Sequence, residues 1–289
     1  MFMRLPSQRL ETTEVDAEAA GSIATGGRSR HPQRPTMYQT WRRLLFLHWP
    51  LPAEEVQARL PQGLGLTVDC FEGSAYVGLV PFIMSGVRPR GLPALPWLSE
   101  FPEINVRTYV NHPKTGPGVW FFSLDAGHPV AVAIARFWFG LPYFRATMSE
   151  RLEMAEHDSA TALRPRRVVY RTERRSGRGA SAGSLLSYEL DPHASAVPAP
   201  SGSLEEFLVE RYRLYCVRKG RLLTGLVRHL PYRLTAIDGL QLEDRLVSAA
   251  GFGPWTSGPP VSARFVDKVD VEIFAPTVVE RTRRMEETA

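Results

Sequence analysis

Glu103, Asn105 and Arg107 stand two residues apart in the run FPEINVRTYV, separated by Ile104 and Val106. Side chains along a strand alternate between its two faces, so residues 103–111 read as one strand with one apolar and one chemical face. Ile104, Val106, Thr108 and Val110 share the first; Glu103, Asn105, Arg107 and Tyr109 share the second. If the apolar face meets an outer packing layer, the acid, the amide and the guanidinium point inward. A carboxyl group and a guanidinium taken out of water need partners, and inside a cavity they make an anchor for a small polar ligand. The opposite orientation leaves that face in solvent, as on any half-exposed sheet. Tyr143 can add a hydrogen-bond donor to such a pocket, or pack as a plain aromatic.

Other titratable residues have quieter readings. Asp125 precedes an apolar helical run, where a carboxylate caps unpaired N–H groups. His48, in LFLHWP, reads as a core histidine. The seven histidines are scattered, none has zinc-ligand spacing, and the two cysteines, Cys70 and Cys216, do not complete a set with them. There is no glycine-rich phosphate loop, no Gly-x-Ser-x-Gly elbow and no His-Glu-x-x-His. No metal and no cofactor are expected. The arginines of 164–178 alternate with Val168, Val169 and Tyr170, as on the outer side of a strand. Net charge of +5 alone carries no nucleic-acid specificity, so no nucleic-acid partner is expected.

The elements that must position these residues are mostly strands. Strand-like runs at 41–49, 64–71, 75–87, 103–111, 119–125, 143–151, 164–175, 184–190, 212–217, 221–228, 232–238 and 266–279 come in hairpins rather than in strand–helix alternation. Gly73 marks a hairpin turn between 64–71 and 75–87, and Arg218-Lys219-Gly220 marks another. Gly78 and Pro81 suggest that 75–87 holds a bulge or lies at an edge. Helices are expected after Pro52, over 130–139, after Ser203 with Glu206 completing a capping box, and over 240–250. The fold class is therefore α+β, a mainly antiparallel, barrel-like sheet with a few short helices.

Residues 1–36 mix Ser, Gly, Glu, Arg and Pro without periodicity and read as a disordered extension. Residues 37–280 read as one domain and 281–289 as a charged tail. The longest apolar run, 130–141, contains Arg136 and is too short to span a bilayer, so no membrane partner is expected. Two distant cysteines and no apolar leader point to a reducing cytoplasm.

Over residues 38–279 the chain resembles the YqjF-like family known as DUF2071. The resemblance rests on LLFLHWPLPAEEVQARLPQGL, AYVGLVPFIMSGVRPRGLPALP, FPEINVRTYV, GPGVWFFSLDA and FGLPYFRA. That family is grouped with the acetoacetate decarboxylase-like β-barrels, which implies the same fold here. Those decarboxylases form a Schiff base on a lysine just after a Gly-x-Pro-like turn, with a second lysine beside it to lower its pKa. The matching turn is Gly140-Leu141-Pro142, and the lysine positions hold Tyr143 and Phe144. Lys114, Lys219 and Lys268 lie elsewhere in the sequence. The resemblance matches Glu103 to an acidic pocket residue and replaces a second acid by an apolar residue near Val80. It implies a cavity without the decarboxylase chemistry.

Three functions follow as expectations. The first is a barrel that binds a small polar or anionic molecule through Glu103, Asn105, Arg107 and Tyr143. The second is an enzyme of different chemistry, with Glu103 as general acid or base and Arg107 holding an anion. The third is a structural or interaction protein that uses the Pro/Trp loop at 88–101. A homo-oligomer stays open on the analogy that related barrels oligomerise.

Overall fold

The alternating run of 103–111 becomes the strand β4 (Phe101–His112), and both of its faces are covered. A computed structural model gives the fold. It describes residues 34–279 apart from 95–99, 130–131, 134–139, 155–164, 176–181 and 192. All of these belong to one compact unit, Pro32–Ala289. The helix expected over 130–139 lies mostly outside the described residues, as do 1–33, part of the loop at 88–101, and the tail 280–289.

Six further long strands pair with β4 in sequence around a circuit. They are β1 (Met37–Leu51), β3 (Ala75–Pro89), β5 (Gly116–Ala126), β10 (Arg213–Arg218), β11 (Arg221–Arg228) and β14 (Ser262–Ile273). β4 pairs with β5, β5 runs parallel to β10, β10 returns as β11, β11 meets β14, β14 pairs with β1, β1 with β3, and β3 with β4. The hydrogen-bonded pairings therefore close on themselves. A side sheet leaves this circuit where β6 (Tyr143–Glu153) runs parallel to the end of β5. It continues antiparallel through β7 (Arg167–Arg174), β8 (Gly183–Glu189) and β13 (Asp238–Asp244). Short strands β2 (Thr67–Val68), β9 (Val197–Pro198), β12 (Arg233–Ala236) and β15 (Thr277–Val278) add to the edges. The described helices are short: α1 (Ala53–Gln57), α2 (Leu204–Val209), α3 (Leu246–Ala249) and a 3-10 turn at Gly253–Thr256.

Two cores result from the alternation. Leu44, Phe46, Val80, Phe82 and Met84 point into the circuit. Their neighbours Leu45, Leu47, Leu79, Ile104 and Val106 point outward, against Tyr170, Leu186 and Tyr188 of the side sheet. Fully burying one such side chain contributes about 1.5–3 kcal/mol. The outer layer thus fixes which face of β4 looks inward.

Three local expectations need correction. First, residues 67–68 pair with β4, not with β3, and only an isolated Phe71–Ser74 bridge spans the turn at Gly73. Second, β3 is central, between β1 and β4, and not at an edge, although it does hold a bulge where Ser85 to Arg88 carries one more residue than Tyr38 to Thr40 opposite it. Its Gly78 is demanded by packing, since a Cβ there would lie 3.0 Å from the His48 ring. Opposite Pro81, β1 carries one extra residue between Arg42 and Leu47, and Arg43 takes a left-handed φ of 49°. The proline's missing donor therefore falls where the ladder is already interrupted. Third, residues 240–244 belong to strand β13, paired along β8, and helix is confined to Leu246–Ala249. Asp244 supplies both N-terminal cap bonds of that helix, to the N–H groups of Leu246 and Val247.

Candidate functional site

With Ile104 and Val106 taken up by the outer core, β4 presents Glu103, Asn105 and Arg107 to the inside of the circuit. There they line a cavity of about 580 Å3, together with Tyr143. The rest of the wall is mainly apolar, with Val80, Phe82 and Leu124 in the middle. Pro89, Leu92 and Pro93 are exposed and form a rim at one end. The opposite end is covered by α2, whose Leu208 and Val209 are buried. Ser203 caps that helix by accepting from the Glu206 N–H at 3.2 Å, and Glu206 accepts from the Gly202 N–H.

Glu103 lies nearer the rim and is 2% exposed. The Tyr143 hydroxyl donates to its carboxyl oxygens at 3.1 and 3.2 Å, and the Tyr170 hydroxyl donates to its backbone carbonyl at 2.8 Å. Burial pushes the Glu103 pKa up to about 8, the negative charge of Asp125 adds to this, and the Tyr143 hydrogen bond opposes it. Near neutral pH the group is a carboxylic acid that can donate a proton. Tyr143 is held well above the ordinary tyrosine range by burial and by the neighbouring Glu103.

Arg107 lies two pleats deeper and is 8% exposed. Its Nη2 donates to the Tyr109 hydroxyl and to the Leu208 carbonyl, both at 3.3 Å, and its Nε finds no partner. Its guanidinium carbon sits 5.1 Å from the centre of the Phe46 ring. Among the described residues no carboxylate forms an ion pair with it. Asn105, between the two, has a buried Oδ1 without a partner. Behind Arg107, Tyr109 is 2.6 Å from His48 Nε2. Burial and the Arg107 charge hold His48 well below the ordinary histidine range, so it is a neutral ring that shares a hydrogen bond with the tyrosine hydroxyl.

The positions expected from sequence fall as follows. Glu103, Asn105, Arg107 and Tyr143 come together on one cavity wall. Both oxygens of Asp125 accept from Arg174, at 2.7 and 2.8 Å, in a fork that holds β5 to β7, and the helix expected to follow it lies mostly outside the described residues. Phe144, next to Tyr143, lies 3.9 Å beneath the Arg174 guanidinium. No lysine lines the cavity among the described residues. Lys114 and Lys219 occupy turns, and Lys268 points outward from β14 with 57% of its side chain exposed. Arg211 and Arg213 also line the cavity, and sequence reasoning missed them. Their i, i+2 spacing in RYRLY was the available signal. Arg211 is paired with Asp69 at 2.7 Å, and Arg213 donates to Thr224. Among the described residues no cluster of His, Cys, Asp and Glu can hold a metal ion, and no helix is long and apolar enough to cross a membrane.

The chain is 36% identical over 198 residues to the uncharacterized protein YqjF of Bacillus subtilis (strain 168), covering 68% of this chain and 74% of that one. Among solved structures it is similar to an acetoacetate decarboxylase-like enzyme from Sphingomonas wittichii RW1, with a TM-score of 0.56, 14% identity, and coverage of 86% and 95%. It is also similar to the enduracididine biosynthesis enzyme MppR complexed with pyruvate, with a TM-score of 0.56, 14% identity, and coverage of 87% and 93%. The acetoacetate decarboxylase of Legionella pneumophila gives a TM-score of 0.55 at 13% identity, covering 94% and 98%. At these identities the structural likeness establishes the fold. The family model described as an uncharacterized conserved protein, DUF2071, matches residues 38–270, and with that match this chain belongs to the DUF2071 family.

Proposed function

We propose that this protein is a β-barrel that binds a small polar or anionic molecule in the cavity lined by Glu103, Asn105, Arg107 and Tyr143, without Schiff-base chemistry. One observation carries the reading: Arg107 is a buried cation with an unpaired Nε and, among the described residues, no carboxylate partner, on the wall of a mainly apolar cavity. A buried guanidinium left so is costly, and an anionic group on a ligand removes the cost. The closed circuit of strands supports the barrel, and the cavity volume falls within the range of small-molecule sites. The pyruvate in the MppR structure is a small carboxylate on the same fold. A cytoplasmic, non-membrane protein, monomeric or self-associating, fits this reading.

The test is mass spectrometry of compounds released from the purified protein, paired with borohydride treatment in the presence of acetoacetate. The expected result is a released small polar or anionic compound and no covalent adduct. A reduced adduct on any lysine would overturn the Schiff-base part. A ligand-free protein whose melting temperature does not respond to a broad metabolite panel would overturn the binding part.

A second reading has one observation in its favour. Glu103 is protonated near neutrality and hydrogen-bonded to Tyr143, as suits a general acid. In this reading Glu103→Gln abolishes whatever turnover a substrate screen finds; unchanged turnover removes Glu103 from the mechanism.

A further inference from the structure

Resting on the binding reading above, we infer that the ligand is a monocarboxylate with an apolar body of medium length. Its carboxylate sits on Arg107 at the covered end, and its body runs along β4 toward the rim.

The two ends of the cavity differ in charge. Arg107, Arg211 and Arg213 gather at the end closed by α2, where Val119 of β5 stands opposite Tyr109 and Leu214 of β10 stands beside Val119. Of the three, Arg211 is neutralised by Asp69 and the half-buried Arg213 donates to Thr224, whereas Arg107 is buried with a bare Nε, and among the described residues no carboxylate pairs with it. The ligand's negative charge therefore belongs at Arg107. Asn105 Oδ1 is a bare acceptor one pleat away, so it repels a second anion there.

Between Arg107 and the rim the wall is mainly Val80, Phe82, Leu124 and Leu141, with the Asn105 amide among them. The apolar side chains satisfy no polar group, so the middle of the ligand is mainly apolar. At the rim end stands Glu103, protonated and already bonded to Tyr143. A second carboxylate on the ligand would lie against a group that itself resists ionising, in surroundings that penalise charge. This disfavours dicarboxylates. Length follows from the register: Glu103 and Arg107 are four residues apart on one strand, about 13 Å between Cα atoms. An extended alkyl chain advances about 1.3 Å per carbon. Eight to ten carbons, roughly, fill that span.

The experiment is calorimetric titration of the full chain with straight-chain carboxylates from acetate to dodecanoate, with octan-1-ol, octylamine and suberate as controls. Affinity is expected to rise about fourfold per methylene up to octanoate or decanoate and then to level. Octanol, octylammonium and suberate should each bind at least about tenfold more weakly than octanoate. Arg107→Gln should lose about tenfold for octanoate and leave octanol unchanged. Val80→Phe, which narrows the apolar stretch without touching the arginine, should move the optimum to a shorter chain. Equal affinity for octanol and octanoate, tightest binding of acetate, or suberate matching octanoate would each overturn the inference. If neutral compounds bind in the cavity and no carboxylate does, the inference fails and the binding reading stands. If no compound of any class binds, both fail.

Discussion

Replacing Glu103 by glutamine asks whether the buried acid is protonated when the protein is folded. Its carboxyl is 2% exposed and its pKa is pushed from the ordinary 4.5 to about 8. Between those values the folded state holds a proton that the unfolded chain has released. Stability due to this group is therefore full below pH 4.5, falls as pH rises through the window, and is constant above about 8. The slope is about 1.4 kcal/mol per pH unit, and about 5 kcal/mol across the whole window is the upper bound. Glutamine matches the neutral acid in shape, and its amide oxygen can accept from Tyr143, so Glu103→Gln should fold. The assay is urea unfolding of both proteins at intervals from pH 5 to pH 9. The difference between the two profiles isolates Glu103, because Asp125, Asp244 and His48 titrate in both. The wild-type protein is expected to lose stability with rising pH relative to Glu103→Gln, with the change ending near pH 8. Parallel profiles would refute the reasoning and place an ionised Glu103 in the folded cavity.

Two further perturbations test the frame of the site. Arg174→Ala leaves Asp125 fully buried without its fork, so a loss of about 3–5 kcal/mol is expected at pH 7 by urea unfolding. The loss should shrink in acid as Asp125, whose pKa burial raises, takes up a proton; a pH-independent loss would point to packing on Phe144 instead. Gly78→Ala places a methyl 3.0 Å from the His48 ring and should cost about 1–3 kcal/mol, read as a lower urea midpoint with an unchanged m-value. A neutral or stabilising outcome would show that the ring can move aside.

Much of this architecture was legible where a single physical signal dominated. The period-two alternation of 103–110 announced β4 and its two faces, because both faces are buried by partners of opposite character. Lys219-Gly220 announced the β10–β11 hairpin because both positions need a left-handed backbone, with φ of 50° and 69°. Ser203 and Glu206 announced α2 through their hydrogen bonding to its first turn. Legibility failed where long-range pairing decided. Gly78 and Pro81 look like edge residues until β1 is seen to bulge opposite Pro81 and to lay His48 over Gly78. Residues 240–244 carry a helix-compatible pattern that β8 overrides by pairing. Asp125 looked like a cap because Arg174, its partner, is remote in sequence. Arg211 and Arg213 reach the cavity only because β10 lies parallel to β5, a contact with no local signature.

The pairing of β1 with β14 has a consequence for how the molecule is made. Leu45 lies opposite Phe265 and Met37 opposite Ile273, so the first and last long strands of the circuit are neighbours. On a ribosome β1 waits for its partner until every strand between the two has been synthesised. During that interval one edge of β1, with Leu44 to Leu47 on it, is unpaired. Contacts of such long sequence separation close slowly, and the open sheet is the species most exposed to aggregation or chaperone capture. A chain stopped short of residue 262 retains β1, β3, β4 and β5 but cannot complete the circuit. The cavity thus closes only after β14 has emerged.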